Sequence, residues 1–216
     1  MDVVVAGGAG KIGLRLLRLL NQNGHRGRGL IRKEEQGAAL RSAGGEPALV
    51  DLESVSITDL AIAIQGADAI VFAAGAGPGS GEERKRTVDY GGAAKLIEAA
   101  QHEGIRRYAI VSSMGAADPE AAGASGTFAV YLQAKHDADE KLRASGLDYT
   151  IVRPGSLTED AGTGQVSIAQ RLDRGQIPRD DVAAVLFAVL GAENTIGQDF
   201  DLVSGDTPVD KAVASL

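Results

Sequence analysis

The chain has 216 residues, enough for one ordinary domain with a substantial buried core. Its 22 Lys and Arg against 29 Asp and Glu give a formal net charge of -7, which disfavours non-specific attraction to phosphate backbones, so no nucleic-acid partner is expected. No cysteine is present, which excludes disulfides, thiolate metal sites and a cysteine nucleophile. Four Phe, four Tyr and no Trp leave the core to Ala, Val, Leu and Ile, and with 29 Gly that bias suits a parallel sheet buried on both faces by helices. No stretch approaches the roughly 20 uncharged apolar residues of a membrane span. Residues 1–6 run into a strand pattern without a signal-peptide layout. A cytoplasmic protein without membrane association is the expectation.

In chain order, strands are predicted at 2–6, 29–32, 47–51, 69–73, 108–112, 148–152 and 199–203, and helices at 12–23, 35–43, 57–64, 84–103, 131–145 and 180–190. Such alternation predicts βαβ units, an α/β doubly wound Rossmann sheet of about seven strands in a single domain spanning 1–216. Two segments, 75–81 (GAGPGSG) and 115–126 (GAADPEAAGASG), read as loops. Both follow strands, which places them at the carboxyl edge of the sheet, where open α/β folds bind ligands.

The first strand runs into Ala6-Gly7-Gly8-Ala9-Gly10-Lys11-Ile12-Gly13, after which an apolar helix begins. Strand, glycine-rich turn and helix together form a dinucleotide-binding pattern. Glycine permits the tight turn and the close approach of a pyrophosphate, and the new helix points free N–H groups at it. Two registers fit, Gly8/Gly10/Gly13 as GxGxxG and Gly7/Gly10/Gly13 as GxxGxxG. The second strand ends at Arg32 and Lys33, about 20 residues past the motif, where an acid marks NAD and an arginine accommodates a 2′-phosphate. The two cations favour NADP(H) over NAD(H), the competing reading being that Glu34 or Glu35 takes the ribose hydroxyls. Asp51, after the third strand, lies near the expected adenine or else caps the next helix.

Tyr131 and Lys135 stand four apart on one predicted helix face. A phenol is a poor acid near neutrality, and a neighbouring ammonium stabilises its phenolate. Ser112 and Ser113 stand at the end of the fifth strand and could bond a substrate carbonyl, completing a proton relay. His25, His102 and His136 show no metal spacing and read as solvent-facing, so no metal is expected. The run Glu82-Glu83-Arg84-Lys85-Arg86 reads as a solvated helix start. Glu159 and Asp160 either gate a pocket or are exposed loop acids.

AGGAGKIG, LIRK, VDL, FAAG, VDYGGAAKLIEAA, IVSSMGA, YLQAKHDADEKLRASGLDYTIVRPGSLT, RDDVAAVL and FDLVSGDTP together resemble the short-chain dehydrogenase/reductase superfamily. More narrowly, the chain resembles its small atypical NAD(P)H-binding group, also labelled NAD-dependent epimerase/dehydratase or sugar-nucleotide epimerase-like. The resemblance implies that Gly7, Gly10, Lys11, Ile12 and Gly13 hold the pyrophosphate. Arg32, helped by Lys33, would hold the 2′-phosphate, Asp51 and Leu52 the adenine, and Ala73, Ala74 and Gly75 the ribose. Ser113, Tyr131 and Lys135 take the catalytic positions, with Lys135 also reaching the nicotinamide ribose. Pro154, Gly155 and Leu157 would flank the nicotinamide. Two features depart from the family pattern: seventeen residues separate Ser113 from Tyr131, and the substrate-side segment at about 155–179 is short for a nucleotide sugar. The expected activity is therefore NADPH-dependent reduction of a small carbonyl or quinone-type substrate. The alternatives are a non-catalytic NADP(H) sensor that presents a surface to a protein partner, and the epimerase or dehydratase of the family label.

Overall fold

The computed structural model describes residues 1–77 and 79–216; Pro78, within the expected 75–81 loop, lies outside the described residues. The elements in chain order are β1 (Asp2–Ala6), α1 (Lys11–Gln22), β2 (Arg26–Ile31), α2 (Gly37–Ser42), β3 (Glu46–Leu49), α3 (Ile57–Ile64), β4 (Ala69–Phe72) and α4 (Gly81–Arg84). A π-helical stretch, Lys85–Gly92, then leads into α5 (Ala93–Glu103). β5 (Arg107–Val111), α6 (Gly126–Arg143), β6 (Asp148–Pro154), β7 (Ser156–Thr158), β8 (Gln165–Ala169), β9 (Gln176–Pro178), α7 (Arg179–Leu190), β10 (Gln198–Ser204), β11 (Thr207–Pro208) and α8 (Val209–Ala214) complete the chain.

The main sheet has nine strands in the order β11-β8-β10-β6-β5-β4-β1-β2-β3. Its seven-strand parallel body, β3 through β10, is the Rossmann sheet that the alternation predicts. β8 and β11 extend it in antiparallel fashion. β7, β9 and β11 are only two or three residues long and do not announce themselves as strands, whereas β8 (QVSIA) carries a short polar–apolar alternation that the sequence reading passed over. The segment between β6 and α7 is thus spent on β8 of the main sheet and on the separate β7–β9 pair.

Alternation within the strands sorts the core into two layers, because successive side chains leave opposite faces. Val3 and Val5 of β1, Ala69 and Val71 of β4, and Ala109 and Val111 of β5 pack beneath α1, α2, α7 and α8. Val4, Ala6, Ile70, Phe72, Tyr108 and Ile110 pack beneath α3, α5 and α6. Leu16, Leu17 and Leu20 give α1 its fully buried face. Ser56 caps α3 by accepting a hydrogen bond from the Asp59 amide.

β2 starts at Arg26, ahead of the predicted strand, since Gly27 and Gly29 interrupt the apolar pattern. Gly29 is needed there: a Cβ on it would lie 2.3 Å from a Leu40 methyl. α6 likewise begins at Gly126, ahead of the predicted start, in residues whose small side chains read as loop. The strand order reverses between β1 and β4, which opens a crevice at their carboxyl ends.

Candidate functional site

The turn after β1 is built by four glycines with separate tasks. Gly7 adopts φ +78°, and a Cβ on it would fall 2.7 Å from the Ala74 Cα. Gly8 lies against Gly29, where a Cβ would come within 2.5 Å of its Cα. Gly10 opens α1 and donates its N–H to the Gly7 carbonyl at 2.8 Å. A Cβ on Gly13 would sit 2.3 Å from the Gly7 carbonyl oxygen, so this glycine lets α1 close onto the turn. Gly7 and Gly10 line the crevice, whereas Gly8 is spent on packing against β2. The GxxGxxG register is therefore the one that faces the crevice. No side chain caps α1 and no acid stands in its first turn, which leaves its N-terminus suited to an anion.

Around this turn lies a cleft of about 250 Å³, lined by Gly7, Gly10, Arg32, Asp51, Leu52 and Ala73–Gly75 among others. The bare-backbone cradle and this donor set fit a dinucleotide. Asp51 caps no helix; its Oδ1 accepts the Glu53 amide at 3.0 Å and shapes the turn after β3. Glu53 lines the same cleft and pairs with Arg84 at 2.7 Å. Hydrogen bonds from Arg84 and Thr87 hold the Glu53 carboxyl below its usual range. Lys33, Glu34 and Glu35 are exposed and do not line the cleft. Lys11 is exposed, with its ammonium 2.6 Å from Glu159. Glu159 also pairs with Arg179 at 2.7 Å, so it is an engaged surface acid.

A second cleft of about 550 Å³ adjoins the first at Ala73–Gly75. Ile12, Lys85, Asp89, Ser112, Thr127, Phe128, Tyr131, Lys135 and Leu157 are among its walls. Tyr131 and Lys135 meet here: the Lys135 ammonium is 5.9 Å from the Tyr131 ring centroid. Lys135 is buried, donates to the Val111 carbonyl at 3.0 Å and forms an ion pair with Asp89 at 3.4 Å. Burial pulls its pKa down, but the charges of Asp89, Tyr131 and Asp139 outweigh that and raise it. Lys135 is held as a cation.

The remaining expected residues lie elsewhere. Ser113 is half-buried, lines neither cleft, and turns its hydroxyl toward the Met114 carbonyl at 3.4 Å. Ser112 does line the second cleft, but its hydroxyl donates to Asp139 at 2.7 Å. Pro154 is buried and lends its carbonyl to the Met114 amide, while Gly155 packs against Gly175. Leu157 alone of that trio reaches a cleft.

Asp89 and Lys85 escaped the sequence reading. The run at 82–86 is not solvated throughout, because Lys85 is only 9% exposed and bonds the Gly77 carbonyl at 2.7 Å. Asp89 is fully buried and accepts the Ala76 amide at 3.1 Å, which ties the loop after β4 to the helix. The available signal was a carboxylate four residues after Lys85, on the same helical face. His136 is half-buried, with Nδ1 2.9 Å from the Ala116 carbonyl oxygen, and so departs from the solvent-facing expectation. Among the described residues no cluster of His, Asp or Glu has the form of a metal site. No described helix is long and apolar enough to cross a membrane.

A parallel sheet with a glycine cradle at its switch point and a paired cleft beyond defines a Rossmann-type dinucleotide-binding protein. Residues 7–193 match the family described as NAD(P)H-binding, and the chain belongs to that family. It is 46% identical over 217 residues, the whole of both chains, to the Bacillus subtilis protein called "Uncharacterized sugar epimerase YhfK". A Bacillus halodurans structure that carries an NAD-dependent epimerase/dehydratase assignment superposes with a TM-score of 0.94 at 39% identity, covering 100% of each chain. ChuY, an anaerobillin reductase of Escherichia coli O157:H7, gives a TM-score of 0.81 at 26% identity, over 95% of this chain and 98% of that one.

Proposed function

We propose that this chain is an NADPH-dependent reductase of a small conjugated carbonyl or quinone-type substrate. The observation that carries the reading is the second cleft, which joins Tyr131 and Lys135 to the far end of the dinucleotide crevice. A bound nicotinamide supplies a hydride there. Gly7, Gly10 and the N-terminus of α1 hold the pyrophosphate, and Arg32 at the rim of the first cleft takes the 2′-phosphate. Tyr131 gives its hydroxyl proton to the carbonyl oxygen, and the Lys135 cation steadies the phenolate that remains. Asp89 keeps Lys135 in place from behind. A polarising role for Ser113 requires its hydroxyl to turn away from Met114. The short segment between β6 and α7, consumed by β7, β8 and β9, favours a compact substrate over a nucleotide sugar.

Tyr131→Phe tests this reading, since it removes one oxygen and keeps the ring. NADPH oxidation across a carbonyl and quinone panel should fall by about 10²–10⁴, with NADPH affinity little changed. Equal turnover in the variant and the parent would remove Tyr131 from the chemistry.

A further inference from the structure

We infer that the second cleft selects an anionic substrate, a flat conjugated body bearing a carboxylate, and that Lys85 is the residue that recognises it. The inference rests on the reductase reading for its chemistry but not for its binding test. Lys85 is a lining residue of the cleft and only 9% exposed. Its ammonium bonds one neutral acceptor, the Gly77 carbonyl at 2.7 Å, and lies 5.4 Å from the Tyr131 ring centroid. Among the described residues no carboxylate stands within ion-pair distance of it. The contrast with Lys135 is direct, because that still more deeply buried lysine has Asp89 as its counter-charge.

A nearly buried cation without a counter-charge is costly, and the cost falls when an anion joins it. The rest of the wall describes what carries that anion. Phe128 is 52% exposed and stacks on Tyr131, with ring centroids 5.9 Å apart and planes 22° apart. Leu157 is 36% exposed at the same cleft. An aromatic and aliphatic mouth with one cation inside that lacks a counter-charge among the described residues recognises a flat apolar body by stacking and its carboxylate by a charge-assisted hydrogen bond. Lys85 and Tyr131 face one another, so such a substrate presents its carbonyl to the hydroxyl while its carboxylate meets the ammonium.

The test uses matched probes: naphthoate and methyl naphthoate for binding to the NADP-loaded chain, and para-formylbenzoate and its methyl ester for turnover. Calorimetry should show the parent preferring naphthoate to the ester. Lys85→Gln should cut that preference about tenfold to a hundredfold, while Lys85→Arg retains most of it. NADP affinity and the melting temperature, measured alongside, confirm that both variants are folded and loaded. Equal binding of acid and ester by the parent overturns the inference, as does a Lys85→Gln variant with undiminished preference. A variant that slows both aldehydes equally without altering naphthoate binding also overturns it, and assigns Lys85 to Tyr131 instead. If neither aldehyde is reduced while the naphthoate preference depends on Lys85, the reductase reading fails and this inference stands.

Discussion

Asp139 and Arg32 carry opposite charges in opposite settings, one buried behind Ser112 and the other exposed on the first cleft. Asp139 is buried, with one oxygen bonded by Ser112 and the other without a partner. Burial pushes its carboxyl from 3.8 up to about 6, against the pull of the Ser112 bond and the charges of Lys135, Arg143 and Arg153. The folded state therefore holds this proton more tightly than the unfolded chain. Its stabilising contribution is complete below the unfolded value and is lost as pH rises through about 6. Asp139→Asn removes the charge and keeps an acceptor for Ser112. The variant should be more stable than the parent by about 2–3 kcal/mol above neutrality, and the difference should shrink as pH falls through about 6 and vanish only below the unfolded value of 3.8. Urea unfolding across that range checks it; a difference independent of pH would mean that Asp139 does not titrate there. Arg32, on the wall of the first cleft, is proposed to act on the cofactor instead. Its proposed bond to the 2′-phosphate is worth about 1.5–3 kcal/mol, so Arg32→Ala should weaken NADPH far more than NADH. Equal losses in fluorescence titrations with the two cofactors would remove Arg32 from the phosphate site.

At the level of elements, the approach of α1 to the turn after β1 depends on an absent side chain. A Cβ on Gly13 meets the Gly7 and Gly8 carbonyl oxygens at 2.3 and 2.9 Å, and backbone cannot swing aside as a side-chain end does. Gly13→Ala should cost about 1–3 kcal/mol from overpacking despite the better helix propensity of Ala, and should weaken dinucleotide binding as the cradle opens. Gly191, at the end of α7 with φ -99° and open space around it, is the control; Gly191→Ala should leave stability and binding close to the parent. Calorimetric melting with and without NADP compares the pair. The π-helical stretch shows the complementary device. By widening the helix between α4 and α5 it delivers Lys85 and Asp89 to one cleft wall. An ordinary helical turn was all that the sequence spacing suggested there.

Over the whole molecule, the residues legible from sequence are those whose roles are set by local rules. The β1–turn–α1 unit, the seven parallel strands and the Tyr131/Lys135 spacing follow from period-two and helical patterns and from glycines in a strand-to-helix turn, all within short windows. The additions β8 and β11 were missed: β11 has two residues and draws its definition from the strand it pairs with, and the single alternation of β8 lies between loops with no flanking helix to mark a βαβ unit. Which glycine faces the crevice depends on Gly8 meeting Gly29 across β2, a contact between distant parts of the chain. The same holds for chemistry. Sequence proposed Ser113 beside Tyr131, yet its hydroxyl turns to Met114, while Lys85 arrives from a charge run read as solvated and Asp89 from the helix that follows it. The sequence by itself determined the sheet, the cradle and the spacing of the Tyr–Lys pair, because each depends on near neighbours. The tertiary structure alone decided which charges are buried, which are paired and which face the cleft, because burial and counter-charge are set by what packs from elsewhere.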